Sequence, residues 1–537
     1  MSHPQMPYQC MVTCGNVLVA ARGSNIDSFN LENGSLLSTW TCPASQETQK
    51  QKPVVTEIQK KEETADVSIP VEGENLEENG PPAKKRKLST ESAEVKIDET
   101  PIPKTNQKQQ EGKKKQKQNS RSVPVASGLQ APAVIALAST KDGKHVIAVT
   151  GEDKSIRVFE SIEDGGSHKL QHISERAMPK RPCSITISAD DLTIISADKF
   201  GDVYSLPLLF TPLPISQFPP STPSTPQTPD STTSKPYIPA ANELTIHSQR
   251  NRKALENQKR QANRVTEKAE PTFEYKLLLG HVSMLTDVAL VAVQGRNYIV
   301  TADRDEHIRI SRGIPQAHII EGFCLGHTEF ITRLCFAKSR PEILISGGGE
   351  DELFIWEWLS GTLLSKANLK SHVDVLRSDL EVFKGDEATV EAAKIAVSGI
   401  FSAQVVAGSE TEDIMIVTCE GVPALFTFAL TSHNRLEHIQ TLRLSGNALA
   451  LVSNSSGLVV SVDTIHKEGS ISELRNDKPE DLTCLQSYKF EKEQLVPNGV
   501  AFAKGEESKE TEAVGKLGNL LYGLENLRKR EGDGGDE

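Results

Sequence analysis

Two copies of one pattern lie between residues 277 and 360, and they decide the fold. The first copy reads Leu279-Gly280-His281, an apolar run, and Thr301-Ala-Asp-Arg-Asp-Glu-His-Ile-Arg-Ile-Ser311. The second reads Leu325-Gly326-His327, Phe330-Ile-Thr-Arg-Leu-Cys-Phe336, and Ser346-Gly-Gly-Gly-Glu-Asp-Glu-Leu-Phe-Ile-Trp356. A period of about 40–45 residues with short β runs predicts one four-stranded propeller blade per copy. One blade cannot bury its own faces, so the pair implies a ring of blades.

The Gly-His opening and the strand that ends in Trp356 are the signature of a WD repeat. Comparable short β runs, separated by turn residues, recur on both sides of the two copies. They bring the expected number of blades to seven. The sequence therefore predicts an all-β fold, a seven-bladed WD-repeat β-propeller with two long disordered insertions and a C-terminal helix.

Composition sets the expected domain boundaries. Two segments are rich in Gln, Lys, Glu, Pro, Ser and Thr, and they have too few apolar residues to offset the entropy of an ordered chain. Both are predicted to be disordered. The expected order along the chain is blade 1 (1–43), an insertion (44–131), blades 2 and 3 (132–210), a Pro/Thr-rich and then basic insertion (211–271), blades 4 to 7 (272–506), and a helix with an acidic tail (507–537).

In the C-terminal region the spacing of the apolar residues changes from that of strands to that of a helix. Leu517, Leu520, Leu521 and Leu524 fall at helical spacing, which predicts an amphipathic helix over 511–530. Three glycines in this range weaken the helix interior. Such a helix packs either on its own propeller or on a partner, and the pattern leaves both alternatives open.

Length and charge exclude several classes of protein. The chain has 537 residues and a formal net charge of -12. No apolar run reaches the roughly 18 residues of a membrane helix, and the N-terminus lacks the features of a secretory signal. The eight cysteines form no Cys-x-x-Cys pair. Reduced core cysteines of an intracellular protein explain them better than a zinc site.

The first insertion carries a compact basic run, Lys84-Lys85-Arg86-Lys87, directly after Pro81-Pro82-Ala83. A basic run of this kind in a flexible, acidic context is typical of a nuclear import signal or a nucleic-acid patch. A solvated charge run without a role is the alternative. We expect import, and therefore a nuclear protein.

No catalytic motif is present. Ser346-Gly-Gly-Gly resembles a phosphate-binding loop, but a strand follows it, whereas an anion site needs a helix N-terminus. His281 and His327 are instead candidates for buried hydrogen-bond networks with turn acids and strand hydroxyls. Asp153 is expected to be the acid of such a turn in blade 2. Trp356 is expected to end the strand that follows the turn in the second copy of the repeat.

One strand has a polar face. His307, Arg309 and Ser311 alternate with two isoleucines, so the polar side chains share one side of the strand. Asp305 is expected to take the acid position of the preceding tight turn. A solvated strand edge explains this pattern, but Arg309 on a rigid strand would also anchor a partner carboxylate through its two-pronged guanidinium.

These motifs resemble a known family. Leu278 to His281, Ala302 to Ser311, Phe323 to Phe330 and Ser196 to Ser205 are similar to the WD-repeat, non-catalytic subunit of eukaryotic tRNA (guanine-N7) methyltransferase. The resemblance spans most blades but neither low-complexity segment. It implies a heterodimer with a separate catalytic subunit, which binds S-adenosylmethionine and methylates a guanosine of the tRNA variable loop.

For this chain the resemblance implies no cofactor, no chemistry of its own, and contact with tRNA through the complex. It places Arg309, and less firmly His307 and Asp305, in the partner-contacting region. The negative net charge agrees with contact through the complex, because a protein that binds RNA over a broad surface needs basic side chains to pair with the phosphates. Two alternatives remain: a generic nuclear WD-repeat scaffold in ribosome assembly or chromatin, and a propeller hydrolase, which the missing acid–base constellation disfavours.

Overall fold

A computed structural model describes residues 6–43, 132–164, 167–210, 273–384, 387–407, 410–454, 457–475, 483–505 and 514–529. All of them belong to one compact unit. In this part of the chain the strands form seven antiparallel four-stranded sheets, and each sheet takes four consecutive strands. The predicted all-β, seven-bladed propeller is confirmed. The segments predicted to be disordered, 44–131 and 211–271, lie outside the described residues.

The strands are numbered along the chain, four to a blade. Blades 1 and 2 contain β1 Cys10–Cys14, β2 Val17–Arg22, β3 Asn25–Asn30, β4 Leu36–Thr41, β5 Val134–Ser139, β6 His145–Thr150, β7 Ser155–Asp164 and β8 Ser167–Ala177. Blades 3 and 4 contain β9 Pro182–Ile187, β10 Thr193–Asp198, β11 Asp202–Pro207, β12 Lys276–Gly280, β13 Leu285–Val293, β14 Arg296–Asp303, β15 Ile308–Arg312 and β16 Ile320–Cys324.

The same arrangement continues to the last blade. Blades 5, 6 and 7 contain β17 Ile331–Phe336, β18 Ile343–Gly348, β19 Glu352–Glu357, β20 Thr362–Asn368, β21 Val397–Ala407, β22 Glu410–Cys419, β23 Ala424–Leu430, β24 Leu436–Arg443, β25 Ala448–Asn454, β26 Gly457–Val462, β27 Leu485–Glu491 and β28 Gln494–Pro497. Two helices, α1 Lys370–Ser378 and α2 Glu387–Ala392, lie between blades 5 and 6 with a 3₁₀ turn at Glu381–Phe383.

The core lies between neighbouring blades. Val300 of blade 4 belongs to one buried apolar cluster with Phe354 and Trp356 of blade 5, and similar clusters fill the other junctions. The second and third strands are buried on both faces; for example, every residue of β2 is buried. A side chain on either face of these strands therefore packs against protein.

Among the described strands, the first and last blades of the ring exchange none. The chain that follows β28 crosses instead to blade 1. There the Ala503 N–H donates to the Gly34 carbonyl at 2.8 Å. The ring of Phe502 meets that of Phe29 edge-on at 5.9 Å. Both contacts lie at the junction between blades 7 and 1.

One predicted boundary is wrong. Strand β12 pairs with β11, with Asp202 opposite Gly280, so it is the outermost strand of blade 3 and not the start of blade 4. The repeat in the sequence opens on the outer strand of the preceding blade. The long insertion therefore separates the third and fourth strands of blade 3.

The C-terminal helix is shorter than predicted. Helix α3 spans Val514–Leu521, and a 3₁₀ turn follows at Leu524–Leu527. The helix ends before Gly523, which is a poor helix former. Beyond it, the backbone N–H groups of Gly523, Leu524 and Glu525 donate to the Glu420 carboxylate of blade 6. Contacts with the propeller replace the last helical turns.

Candidate functional site

Blade 5 contains a buried network built on His327. Its Nε2 lies 2.8 Å from Ser346 Oγ, which also accepts a hydrogen bond of 2.9 Å from Trp356 Nε1. Its Nδ1 contacts the Glu350 carboxylate in the turn between β18 and β19. Both Trp356 and the imidazole are buried. The network ties the loop that enters the blade to its second and third strands.

Blade 4 repeats this arrangement with a different acid. His281 Nε2 lies 2.8 Å from Thr301 Oγ1, and its Nδ1 lies 3.5 Å from Asp303 Oδ2. Asp303 also accepts the His307 N–H at 3.0 Å. The prediction that Asp305 takes this position is wrong. Asp303, at the end of β14, is the acid that contacts His281 and accepts the backbone N–H of the turn.

In blade 2 an arginine replaces the histidine. Asp153 accepts hydrogen bonds from Thr150 and from the N–H of Ser155. Arg157 Nη2 lies 2.7 Å from both Asp153 Oδ2 and Glu175 Oε1, and its side chain is only 4% exposed. Asp153 thus lies in the turn expected for it, inside a network that holds the blade together.

The turn acids make the fold sensitive to acid. Asp463 follows β26 and is the corresponding acid of blade 7. Burial alone would raise the pKa of Asp153, Asp303, Glu350 and Asp463, but hydrogen bonds to each carboxylate outweigh this effect and hold each pKa below its ordinary value. A lowered pKa adds stability that is present above the ordinary pKa of about 4, and this stability is lost as pH falls through the folded-state pKa.

We expect the free energy of unfolding, measured in urea at a series of pH values, to fall steeply below about pH 4. The Glu350→Gln variant removes one of the four groups, so its stability should fall less over the same interval. Equal losses for the variant and the parent chain would contradict this assignment for Glu350.

Arg309 does not lie on an open surface. The residue is 8% exposed, its Nε donates to Ser311 Oγ at 3.0 Å, and its Nη1 donates to the Gly280 carbonyl of blade 3 at 2.9 Å. Burial lowers its pKa. The interpretation of this position as a solvated strand edge is wrong, because the buried side chain links blades 3 and 4.

The two neighbouring candidates are more accessible. The side chains of His307 and Asp305 are 49% and 45% exposed. Asp305 lies 3.4 Å from the ammonium group of Lys529. These two residues are therefore more accessible to a partner than the buried Arg309.

Sequence reasoning missed an apolar surface on the outer edges of blades 4 and 5. We call this surface the edge patch, and it consists of Ile320 (47% exposed), Phe323 (40%), Leu325 (61%), Leu359 (39%) and Leu363 (36%). The turn before β20 meets β16, because a Cβ on Gly361 would lie 2.4 Å from the Phe323 carbonyl. Grouped apolar side chains of this kind mark interaction sites on soluble proteins.

Within the described ranges, no three His, Cys, Asp or Glu residues converge as metal ligands. No helix of the described chain is both long and apolar enough to cross a membrane. The basic run Lys84 to Lys87 lies outside the described residues.

The comparisons with known proteins agree with this geometry. Residues 18–488 match the family model described as the tRNA methyltransferase TRM82 WD40 domain. A tRNA (guanine-N(7)-)-methyltransferase non-catalytic subunit from Sclerotinia sclerotiorum is 48% identical over 99% of both chains. Proteins of the same description from Coccidioides immitis and Aspergillus oryzae are 38% and 35% identical, over 96% and 98% of this chain and 95% and 99% of theirs. The chain therefore belongs to the family of WD-repeat, non-catalytic subunits of tRNA (guanine-N7) methyltransferase.

Proposed function

We propose that this chain is the rigid platform of a heterodimer, and that it stabilises and orients a catalytic tRNA (guanine-N7) methyltransferase subunit. The observation that carries the proposal is similarity over the full chain to proteins named as the non-catalytic subunit. In this proposal the partner binds S-adenosylmethionine and methylates a guanosine of the tRNA variable loop. The chain itself contributes no catalytic group.

The edge patch is the surface proposed for the catalytic subunit. Its strands β16 and β20 are the outermost strands of their sheets, so their free backbone edges are available as well. Next to the patch lie the half-exposed His307 and a polar pair formed by Arg312 and Glu321. An apolar centre with polar groups around it is the usual composition of a protein interface.

The Phe323→Glu variant tests this surface. A carboxylate in the centre of an apolar interface should weaken binding of the co-expressed catalytic subunit by at least about tenfold in Kd. Since Phe323 is 40% exposed, the melting temperature should change little. Kd can be measured by calorimetry with the purified subunits.

Leu192→Glu is the matched control. Leu192 is 66% exposed and lies in the turn before β10 of blade 3, away from the edge patch. We expect the parent Kd for this control. If Phe323→Glu and Leu192→Glu both bind like the parent chain, the catalytic subunit binds elsewhere.

The proposal extends to tRNA and to the cell nucleus. A net charge of -12 favours contact with tRNA through the complex rather than through a broad surface of this chain alone. Lys84, Lys85, Arg86 and Lys87 are the residues proposed for nuclear import. The import proposal is tested with a fluorescent fusion in which these four residues are changed to Ala. The measured quantity is the fraction of the fusion protein in the nucleus.

A further inference from the structure

The C-terminal residues 514–529, here called the strap, contact one end of four blades. In an antiparallel four-stranded blade, the loop that enters the first strand and the turn between the second and third strands lie at the same end. The strap contacts only loops and turns of this kind in the interactions described below. We call this end of the propeller the turn face.

In blade 7 the strap completes a buried polar cluster. Tyr522 is 6% exposed; its hydroxyl donates to the Asp463 carboxylate and accepts from Asn447 Nδ2 at 3.2 Å. Asp463 also lies 2.6 Å from His466 Nδ1. In blades 4 and 5 the turn acid contacts a histidine of the entry loop of its own blade. In blade 7 the strap supplies one of the partners of the acid.

The next contacts are with blades 6 and 5. Glu420, in the turn of blade 6, accepts three successive N–H groups of the strap. Arg528 donates to the Gly349 carbonyl of blade 5 at 2.9 Å and to the Ile395 carbonyl before blade 6 at 3.0 Å. The same guanidinium lies 2.9 Å from Glu329 and 5.2 Å from the ring of Phe330. One side chain thus joins three loops.

The strap ends on blade 4. Arg304 Nε donates to the Leu527 carbonyl at 2.8 Å, and Lys529 lies 2.8 Å from Glu306. The last pair is partly exposed and adds little, since water and salt screen ion pairs at the surface. The side chains of Tyr522 and Arg528, 6% and 16% exposed, and the N–H groups held by Glu420 are therefore the contacts that fasten the strap.

We propose that the strap is a conformational clamp that locks blades 4 to 7 as one unit. In a repeat fold each unit contacts mainly its neighbours, so two neighbouring blades can separate locally. The strap connects blade 7 to blade 4, which are not neighbours, and it passes over both blades between them. Separation at any of these three junctions must break contacts with the strap. This device complements the link between blades 7 and 1 at residues 499–505.

Hydrogen exchange of the full chain, followed by mass spectrometry, tests the clamp. The double variant Tyr522→Phe, Arg528→Ala keeps the chain length but removes both of these side-chain attachments. We expect amide exchange at least about tenfold faster in the turn-face segments of all four blades, around residues 304, 350, 420 and 463. Exchange in blades 1 to 3 should stay at the parent rate. Faster exchange confined to residues 514–529, or unchanged exchange in the four turns, would overturn the proposal.

Two controls separate clamping from ordinary packing. Tyr488→Phe removes a buried hydroxyl of blade 7 that bonds to Gln486, without touching the strap. Arg340→Ala removes an arginine that bonds to Asn434, Leu430 and Thr431, and so joins only the neighbouring blades 5 and 6. Each control should change exchange only locally. If the double variant does not fold, Tyr522→Phe alone serves, with faster exchange expected in blade 4 as well as blade 7; a change limited to blade 7 would refute the clamp.

Discussion

The Arg309→Glu variant is expected to lose its fold and not merely its partner. The substitution places a carboxylate where a buried guanidinium donates to Ser311 and to the Gly280 carbonyl. The Gly280 carbonyl then loses its donor and faces a negative charge, and the Ser311 hydroxyl is the one donor among these partners that could turn toward the new carboxylate. An uncompensated buried charge costs about 3–5 kcal/mol, a large part of the 5–15 kcal/mol that typically stabilises a domain. Thermal unfolding should show a greatly lowered melting temperature or an insoluble chain.

His307→Glu is the control for this prediction. It introduces the same carboxylate two residues away, on a side chain that is 49% exposed. The imidazole lies 3.5 Å from the Asp303 carboxylate, but ion pairs of exposed side chains contribute only about 0–1 kcal/mol, so the cost should stay well below that of Arg309→Glu. If Arg309→Glu melts like the parent chain while the catalytic subunit no longer co-purifies, Arg309 belongs to the interface and the buried position assigned to it is wrong.

The Trp356→Ala variant should have an effect of similar size in blade 5. Trp356 is fully buried, packs in the cluster between blades 4 and 5, and donates to Ser346 Oγ. Truncating a buried tryptophan leaves a cavity and costs about 3–5 kcal/mol. Urea unfolding monitored by circular dichroism measures the loss, with Tyr298 and Trp358 still present as fluorescence reporters at the same junction.

Trp356→Phe is the matched variant. It keeps an aromatic ring at the junction and removes mainly the indole N–H, so its cost should be smaller, about 1–2 kcal/mol including the loss of packing. An equal loss for Ala and Phe would show that the hydrogen bond to Ser346, and not packing, dominates this position.

The blade pattern could be predicted from the sequence because each blade repeats the same order of short strands and turns. Short β runs and turn residues recur at a spacing that suits four strands, and blades 4 and 5 add the Leu-Gly-His opening. The blade to which β12 belongs could not be predicted in this way. Its partner β11 ends at Pro207, and the long insertion separates the two strands, so only the pairing of Asp202 with Gly280 shows that they share a sheet.

The exposure of the Arg309 side chain could not be predicted from the alternation of residues along its strand. Alternation along a strand separates two faces, and in a single sheet one of them is often open to water. In a propeller both faces of β15 pack against neighbouring blades, and Ile308 to Ser311 are all buried. Alternation therefore gave the correct face for Arg309 but the wrong environment. Arg157 of blade 2, also buried and also paired, shows the same arrangement.

The edge patch carried no distinct signal in the sequence. Ile320 and Phe323 look like ordinary core residues of a short strand, and only the position of β16 at the outside of its sheet exposes them. The strap was partly predicted, since the leucine spacing indicates a helix. Its contacts depend on groups distant in sequence, such as Glu420 and Asp463, which no local pattern connects to Tyr522.

The most direct test of the central claim is a methylation assay with separately purified subunits. The account predicts that this chain alone neither binds S-adenosylmethionine in calorimetry nor forms N7-methylguanosine in tRNA. Adding it to the catalytic subunit should raise the rate of N7-methylguanosine formation, and the Phe323→Glu variant should raise it less at equal concentration. Methylation by this chain alone, or a catalytic subunit whose rate and stability are unchanged by its presence, would contradict the account.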